Sequence, residues 1–134
     1  MGVTISTSGF GDLTDRLELM AGKESSNQTI KEILTEAAKP IQKDAMATTA
    51  FSDRNKEPSK RLRNNIKISK VTKKRAGYRV IKVYCAKREA SLVEFGHSGN
   101  YAKPHPFLAP AFERNQQEST QIIYDRLEEA LMSK

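Results

Sequence analysis

Hydrophobic positions fall into two helical rhythms, then a group of strand-like runs, then a third helical rhythm. Phe10, Leu13, Leu17 and Met20 recur at the spacing of a short amphipathic helix. Asp12 is placed to cap this helix and Gly22 to end it. Ser25, Ser26 and Asn27 then offer N-caps for a longer helix, with a stripe of Ile30, Ile33/Leu34, Ala37, Ile41, Ala45 and Met46. Pro40 removes an amide donor inside that stripe, which predicts a kink or a fresh start. The rhythm closes by Phe51-Ser52-Asp53.

Residues 52–64 are charged, carry Pro58 and have almost no apolar positions, so they read as an exposed, mobile basic loop. Strand signals run from Ile66 and Ile68 to Val71, and Lys73-Lys74-Arg75-Ala76-Gly77 supplies a hairpin turn. Tyr78 to Cys85 is the clearest strand, apolar on both faces at several positions, as a central strand covered on two sides would be. A third run, Leu92-Val93-Glu94-Phe95, stops at Gly96. Pro110 opens the last helix, whose stripe is Phe112, Gln116, Ser119, Ile123, Leu127 and Ala130/Leu131. The order helix, helix, strands, helix predicts an α+β fold. A small antiparallel β-sheet is packed by long N-terminal and C-terminal helices.

Length and composition narrow the picture. A chain of 134 residues supports one domain, 1–134, and leaves no room for a second core. No run approaches the ~18 consecutive apolar residues of a membrane span, and the N-terminus does not read as a secretory signal. A lone cysteine, Cys85, excludes an internal disulfide, points to a cytosolic compartment and reads as a small core residue.

Charge is distributed unevenly. The formal net charge is +7. Arg54, Lys56, Lys60, Arg61, Arg63, Lys67, Lys70, Lys73, Lys74 and Arg75 face only Glu57, so this one segment carries +9 and the rest of the chain −2. Such a run suits a solvated loop, an acidic protein partner or nucleic acid. Stacking aromatics are missing from it, apart from Tyr78 just beyond, and no nucleic-acid-binding motif accompanies it.

The search for catalytic chemistry ends without a constellation. His97 and His105 flank a loop that also holds Lys103, the inventory of a metal-independent ribonuclease, but inventory is not geometry. The two histidines lack carboxylates or thiols at metal-ligand spacing. Gly9-Phe10-Gly11 lacks the later glycine of a dinucleotide loop and no phosphate-binding lysine follows. Glu128 and Glu129 are neighbours on a helix and point apart. The expectation is a protein without catalytic residues, cofactor or metal.

Residues 96–109 form a different kind of segment. Pro104, Pro106 and Pro110 each fix φ and bias the preceding residue toward extended backbone, so this loop should hold one path, anchored by Phe95 and Phe107. Gly96 supplies a backbone angle that a side chain would resist. Leu92-Val93-Glu94-Phe95-Gly96-His97-Ser98, then Ala102-Lys103-Pro104-His105-Pro106-Phe107-Leu108-Ala109-Pro110-Ala111-Phe112, resembles the signature of small tail-component proteins of long-tailed, double-stranded DNA phages. Ala37-Ala38-Lys39-Pro40-Ile41 and Leu62-Arg63-Asn64-Asn65-Ile66 are similar to that family's lysine-proline helix break and its approach to the first strand. The resemblance spans about residues 30–131. His97 stands where threonine is usual, Ala109 where arginine is usual, and Phe51-Ser52-Asp53 lacks the usual Asp-Thr-Gly turn.

The resemblance implies a virion assembly protein of the neck or tail, made in the host cytoplasm and acting in tail completion or head–tail joining. Its partners would be other neck and tail proteins: a connector, a tail terminator or the tail tube. It admits a homo-oligomeric ring and contact with genomic DNA, and it implies no membrane. Val93, Glu94, Phe95, Gly96, Pro106, Phe107, Pro110, Ala111 and Phe112 would be structural motif residues. Arg54, Lys56, Lys60, Arg61, Arg63, Lys73, Lys74 and Arg75 are the candidate partner-binding residues. The competing expectation is a small basic nucleic-acid-binding protein.

Overall fold

The second helical rhythm supplies the spine of the core. A computed structural model describes residues 2–48, 62–75, 77–86 and 107–133. The elements in chain order are β1 (Gly2–Ser6), a 3-10 turn (Ser8–Phe10), α1 (Gly11–Ala21), α2 (Lys23–Thr48), a 3-10 turn (Leu62–Asn65), β2 (Ile66–Ile68), β3 (Thr72–Lys73), β4 (Arg79–Cys85) and α3 (Leu108–Met132). The fold is α+β, with the helices on one face of an antiparallel sheet.

Every predicted stripe position of α2 from Ile30 to Ala45 is buried, together with Ser26 and Ala38. The predicted fresh start at Pro40 does not occur, and the helix runs through from Lys23 to Thr48. Proline removes one hydrogen bond but has a helical φ, and buried Ala37, Ala38, Ile41 and Ala45 hold both sides of it against the core. Gly22 ends α1 as expected, with φ 85° and its N–H donating to the Glu18 carbonyl over 2.9 Å. α2 starts at once after it, so Ser25 to Asn27 lie inside the helix rather than capping it. Asp12 lies in the first turn of α1 but makes no cap, and Met20 falls off the core side, 52% exposed.

α3 lies antiparallel to α2, since Asp44 meets Arg114 while Glu36 meets Arg126. The buried Ser119 hydroxyl donates to the Ala37 carbonyl over 2.7 Å, a contact that requires small residues where the helices approach. α3 begins at Leu108, two residues before the predicted start, which brings the last part of the expected 96–109 loop into helix. Its inward positions are Leu108, Ala111, Ser119, Ile123 and Leu127, while Gln116 is exposed and Asn115 half-buried.

The sheet corrects the sequence reading in three places. β1 was not anticipated, yet its full length pairs with β4, Gly2 opposite Tyr84 through Ser6 opposite Val80. The expected strand from Ile66 to Val71 is broken into β2 and β3 on the other edge of β4. Ile68 faces Val83 but Thr72 faces Val80, so Ser69 to Val71 oppose only Ile81 and Lys82, and the extra residue makes a bulge. Ser69 bridges the break, its N–H donating to the Lys82 carbonyl and its Oγ accepting from the Lys82 N–H. Finally, β4 is central in pairing but covered on one face: Arg79, Ile81, Val83 and Cys85 are buried, Val80 and Tyr84 half-buried, Lys82 exposed. The predicted strand at Leu92–Phe95 and most of the 52–64 loop lie outside the described residues.

Candidate functional site

Strand alternation decides which side chains reach solvent. Val3, Ile5, Ile66, Ile68, Ile81, Val83 and Cys85 face the helices, so Thr4, Lys67, Thr72, Val80, Lys82 and Tyr84 share the opposite face. Beyond this face the β3–β4 hairpin closes at Lys74 and Gly77. The Lys74 N–H donates to the Tyr78 carbonyl, and the Gly77 N–H, at φ 97°, to that of Lys74. A left-handed angle there suits glycine. The result is a short arm carrying Lys73, Lys74 and Arg75 away from the core.

Residues 62–86 contain eight basic side chains and no acidic one. Lys67, Lys70, Lys73, Lys74, Arg75 and Lys82 are all exposed, and none forms an ion pair among the described residues. Tyr78, 36% exposed, and half-buried Val80 and Tyr84 put apolar surface among them. Of the predicted basic residues, Lys73, Lys74 and Arg75 therefore sit together at the hairpin tip. Arg63 lies in the 3-10 turn before β2, and Arg54, Lys56, Lys60 and Arg61 lie outside the described residues. Lys82 was missed, although its position between Ile81 and Val83 in an alternating strand is the signal that aims it outward.

Arg79 behaves differently from its basic neighbours. It is 8% exposed, and its guanidinium donates to the Asn27 side-chain carbonyl on α2. Its backbone N–H donates to Thr7 Oγ1 at 3.0 Å, and its carbonyl accepts from the Thr7 N–H at 2.9 Å. This arginine ties β1, β4 and α2 together.

On the helical side, part of the charge is paired across α2 and α3. Arg114 donates to both oxygens of Asp44 at 2.9 and 2.8 Å, and Asn115 adds a bond of 2.6 Å. The Arg114 hydrogen bonds hold the Asp44 carboxyl below its usual 3.8, against a smaller opposing effect of burial. Arg126 bridges Glu36 and Glu129, and these bonds raise its pKa. Between α2 and α3 lies an open groove of about 1020 Å3 floored by Pro40, Met46 and Ile122, with Lys39, Lys43 and Glu118 on its walls. Among the described residues no group of His, Cys, Asp or Glu is placed to hold a metal ion, and no helix is long and apolar enough to cross a membrane.

The motif residues divide in the same way. Phe107 and Ala111 are buried, Pro110 is half-buried in the first turn of α3, and half-buried Phe112 packs against the core. Phe107 is fully buried immediately before α3. Val93, Glu94, Phe95, Gly96, Pro106, His97 and His105 lie outside the described residues, and Cys85 is buried at the end of β4.

A family model described as "Bacteriophage HK97-gp10, putative tail-component" matches residues 11–96, well over half of the chain. The protein belongs to this family. It is a phage tail component, a structural protein of the virion that works among other tail proteins. The match takes in α1, α2, the basic strands and Val93 to Gly96, and it ends before the Pro106–Phe112 half of the signature. No curated protein and no solved structure matches the chain.

Proposed function

We propose that this tail component acts at the neck or tail end, in tail completion or head–tail joining, as a docking protein without catalytic activity. The observation that carries this reading is the set of six basic side chains on the sheet and its hairpin, exposed and without counter-ions among the described residues, in a chain of the tail-component family. Charges neutralised within a fold contribute to that fold, whereas a one-sign face raises the encounter rate with an oppositely charged surface. An acidic face on a connector, tail-terminator or tail-tube ring is the partner of matching chemistry. Electron microscopy of lysates from a phage with this gene disrupted tests the role. Unjoined filled heads and tails, or tails with abnormal ends, are expected. Normal infectious particles would overturn it.

The same basic surface of sheet and hairpin, with Tyr78 and Tyr84 near its lysines, also suits contact with genomic DNA. Six phosphate contacts on a duplex would give log affinity against log salt a slope of about −5. A salt-independent or undetectable affinity for duplex DNA removes this second reading.

A further inference from the structure

The two edges of the sheet are built differently. On one side β4 is flanked by β2 and β3, three and two residues long, with a bulge between them and Lys67, Lys70 and Lys73 along them. Short strands, bulges and lysines are devices that keep a sheet edge from pairing with another chain. On the other side β1 runs for five residues, Gly-Val-Thr-Ile-Ser, without a bulge, a proline or a charge.

Register fixes which backbone groups of β1 are left over. The Thr7 N–H donates to the Arg79 carbonyl, and two-residue steps along the antiparallel ladder turn Ile5 and Val3 toward β4 in the same way. Gly2, Thr4 and Ser6 therefore aim their N–H and C=O groups away from the sheet. Lys82, opposite Thr4, agrees, because its own N–H and C=O bond to Ser69 on the far side. None of the outward backbone groups of Gly2, Thr4 and Ser6 has a hydrogen bond among the described residues. A side chain from β4 reaches this edge as well. A Cβ on Gly2 would stand 2.6 Å from Lys82 Cε, so the lysine stem crosses the start of β1 and carries its ammonium over it. Only glycine leaves that path open.

We infer that the β1 edge receives an extended segment of another virion protein, which adds to the sheet as a strand. This rests on reading the chain as a docking protein, and it gives the docking a site beside the basic one. Main-chain bonds to Gly2, Thr4 and Ser6 supply affinity, and alternate side chains supply the choice of partner. Side chains turned toward the helices extend the row of Val3 and Ile5, so they are apolar. Those turned outward lie beside exposed Thr4 and the Lys82 ammonium, where a carboxylate completes the match. The partner segment thus alternates apolar and polar residues, with an acidic one on its outer side. A second β1 does not fit, because Gly2, Thr4 and Ser6 bring no carboxylate to Lys82.

Proline at position 4 separates the edge from the ladder. The Thr4 N–H takes no part in pairing with β4, so Thr4→Pro blocks an incoming strand at little cost to the fold. Ile5→Pro, by contrast, removes a donor to β4 and should unfold the protein. Each variant is supplied to a phage lacking the gene, and copies of this protein per particle are counted. Thr4→Pro should lower incorporation about tenfold or more, and Thr4→Val, which keeps the amide, should not. Lys82→Glu should reproduce the loss and Lys82→Arg should not. A folded Thr4→Pro or Lys82→Glu protein incorporated like wild type overturns the inference.

Hydrogen exchange needs no variant and decides the matter if Thr4→Pro does not fold. In the isolated chain the Thr4 and Ser6 amides should exchange fast and those of Val3 and Ile5 slowly. Residues 2–6 should then exchange more slowly in purified particles. Slow exchange at Thr4 in the isolated chain, or equal rates in both states, would also overturn it. Sedimentation reads the other occupant: a dimer of the isolated chain that Thr4→Pro abolishes would give the edge to a second copy instead. The gene-disruption phenotype is separate. Normal particles without the gene would remove the docking role, whereas abnormal particles restored by Thr4→Pro would remove only the added strand.

Discussion

On the outer side of the helices, Arg114 and Arg126 reach across from α3 to carboxylates of α2. On the sheet, Lys73, Lys74 and Arg75 reach into solvent and meet no carboxylate among the described residues. The helical side thus mixes both signs and pairs part of its charge across α2 and α3, while the sheet side exposes a single sign. The fold should depend on the first region and association on the second.

The largest effect expected from breaking the first region comes from its interior. Leu34 is wholly buried on α2, and Leu34→Ala removes apolar contacts and leaves a cavity, at a cost of about 2–5 kcal/mol. Urea denaturation followed by circular dichroism reads this directly. A change below about 0.5 kcal/mol, the range of ordinary surface substitutions, would contradict the placement of Leu34.

Arg79 stands where the two regions meet, and it is the one basic residue of the sheet that the fold uses. Asn27→Ala removes the side-chain carbonyl that its buried guanidinium reaches. An unsatisfied buried polar group costs about 1–3 kcal/mol, more when it is charged. Adding Arg79→Met to that variant should recover part of the loss, because the pair is then replaced by apolar volume. If Asn27→Ala alone is silent in denaturant, Arg79 is solvated rather than buried.

Helical periodicity made much of the core readable, because a stripe over many turns has few interpretations. The α2 stripe from Ile30 to Ala45 is an example. Features that depend on a distant strand were not readable. Val3 and Ile5 alternate with polar residues, but five residues are too few to announce β1 without β4 beside them. The bulge at Ser69 to Val71 follows from registers against two parts of β4, which a single strand pattern does not contain. The role of Arg79 was not readable either, since only tertiary contact brings Asn27 and Thr7 to it. Lys73, Lys74 and Arg75 were legible as an exposed hairpin turn because turn residues and charge coincide there.

A smaller effect sharpens the comparison through pH. The Asp44 carboxyl is held below 3.8 by hydrogen bonds from Arg114, and secondarily from Asn115. A depressed pKa in the fold means that this contribution is present above the unfolded value. It is lost as pH falls from about 4 through the folded value. Asp44→Asn should therefore flatten the acid limb of the stability curve in that window and leave its neutral-pH slope unchanged. Denaturation midpoints at a series of acidic pH values measure this, and an unchanged acid limb would show that the Arg114 pair is screened by solvent.

The smallest effect on stability should come from the sheet side, and there the comparison is at its most exposed. Lys73→Glu with Lys74→Glu changes two exposed side chains at a hairpin tip that have no ionic partner among the described residues. Surface changes of this kind fall within about 0.5 kcal/mol. Lys67, Lys70, Arg75 and Lys82 still repel one another around the new carboxylates, so the sign should be neutral to slightly stabilising. The same double variant should fail to complement a phage lacking the gene. Wild-type denaturation with lost complementation would separate folding from docking within one chain. If instead the hairpin variant lost stability in step with function, these lysines would belong to the fold, and the division between the two regions would collapse.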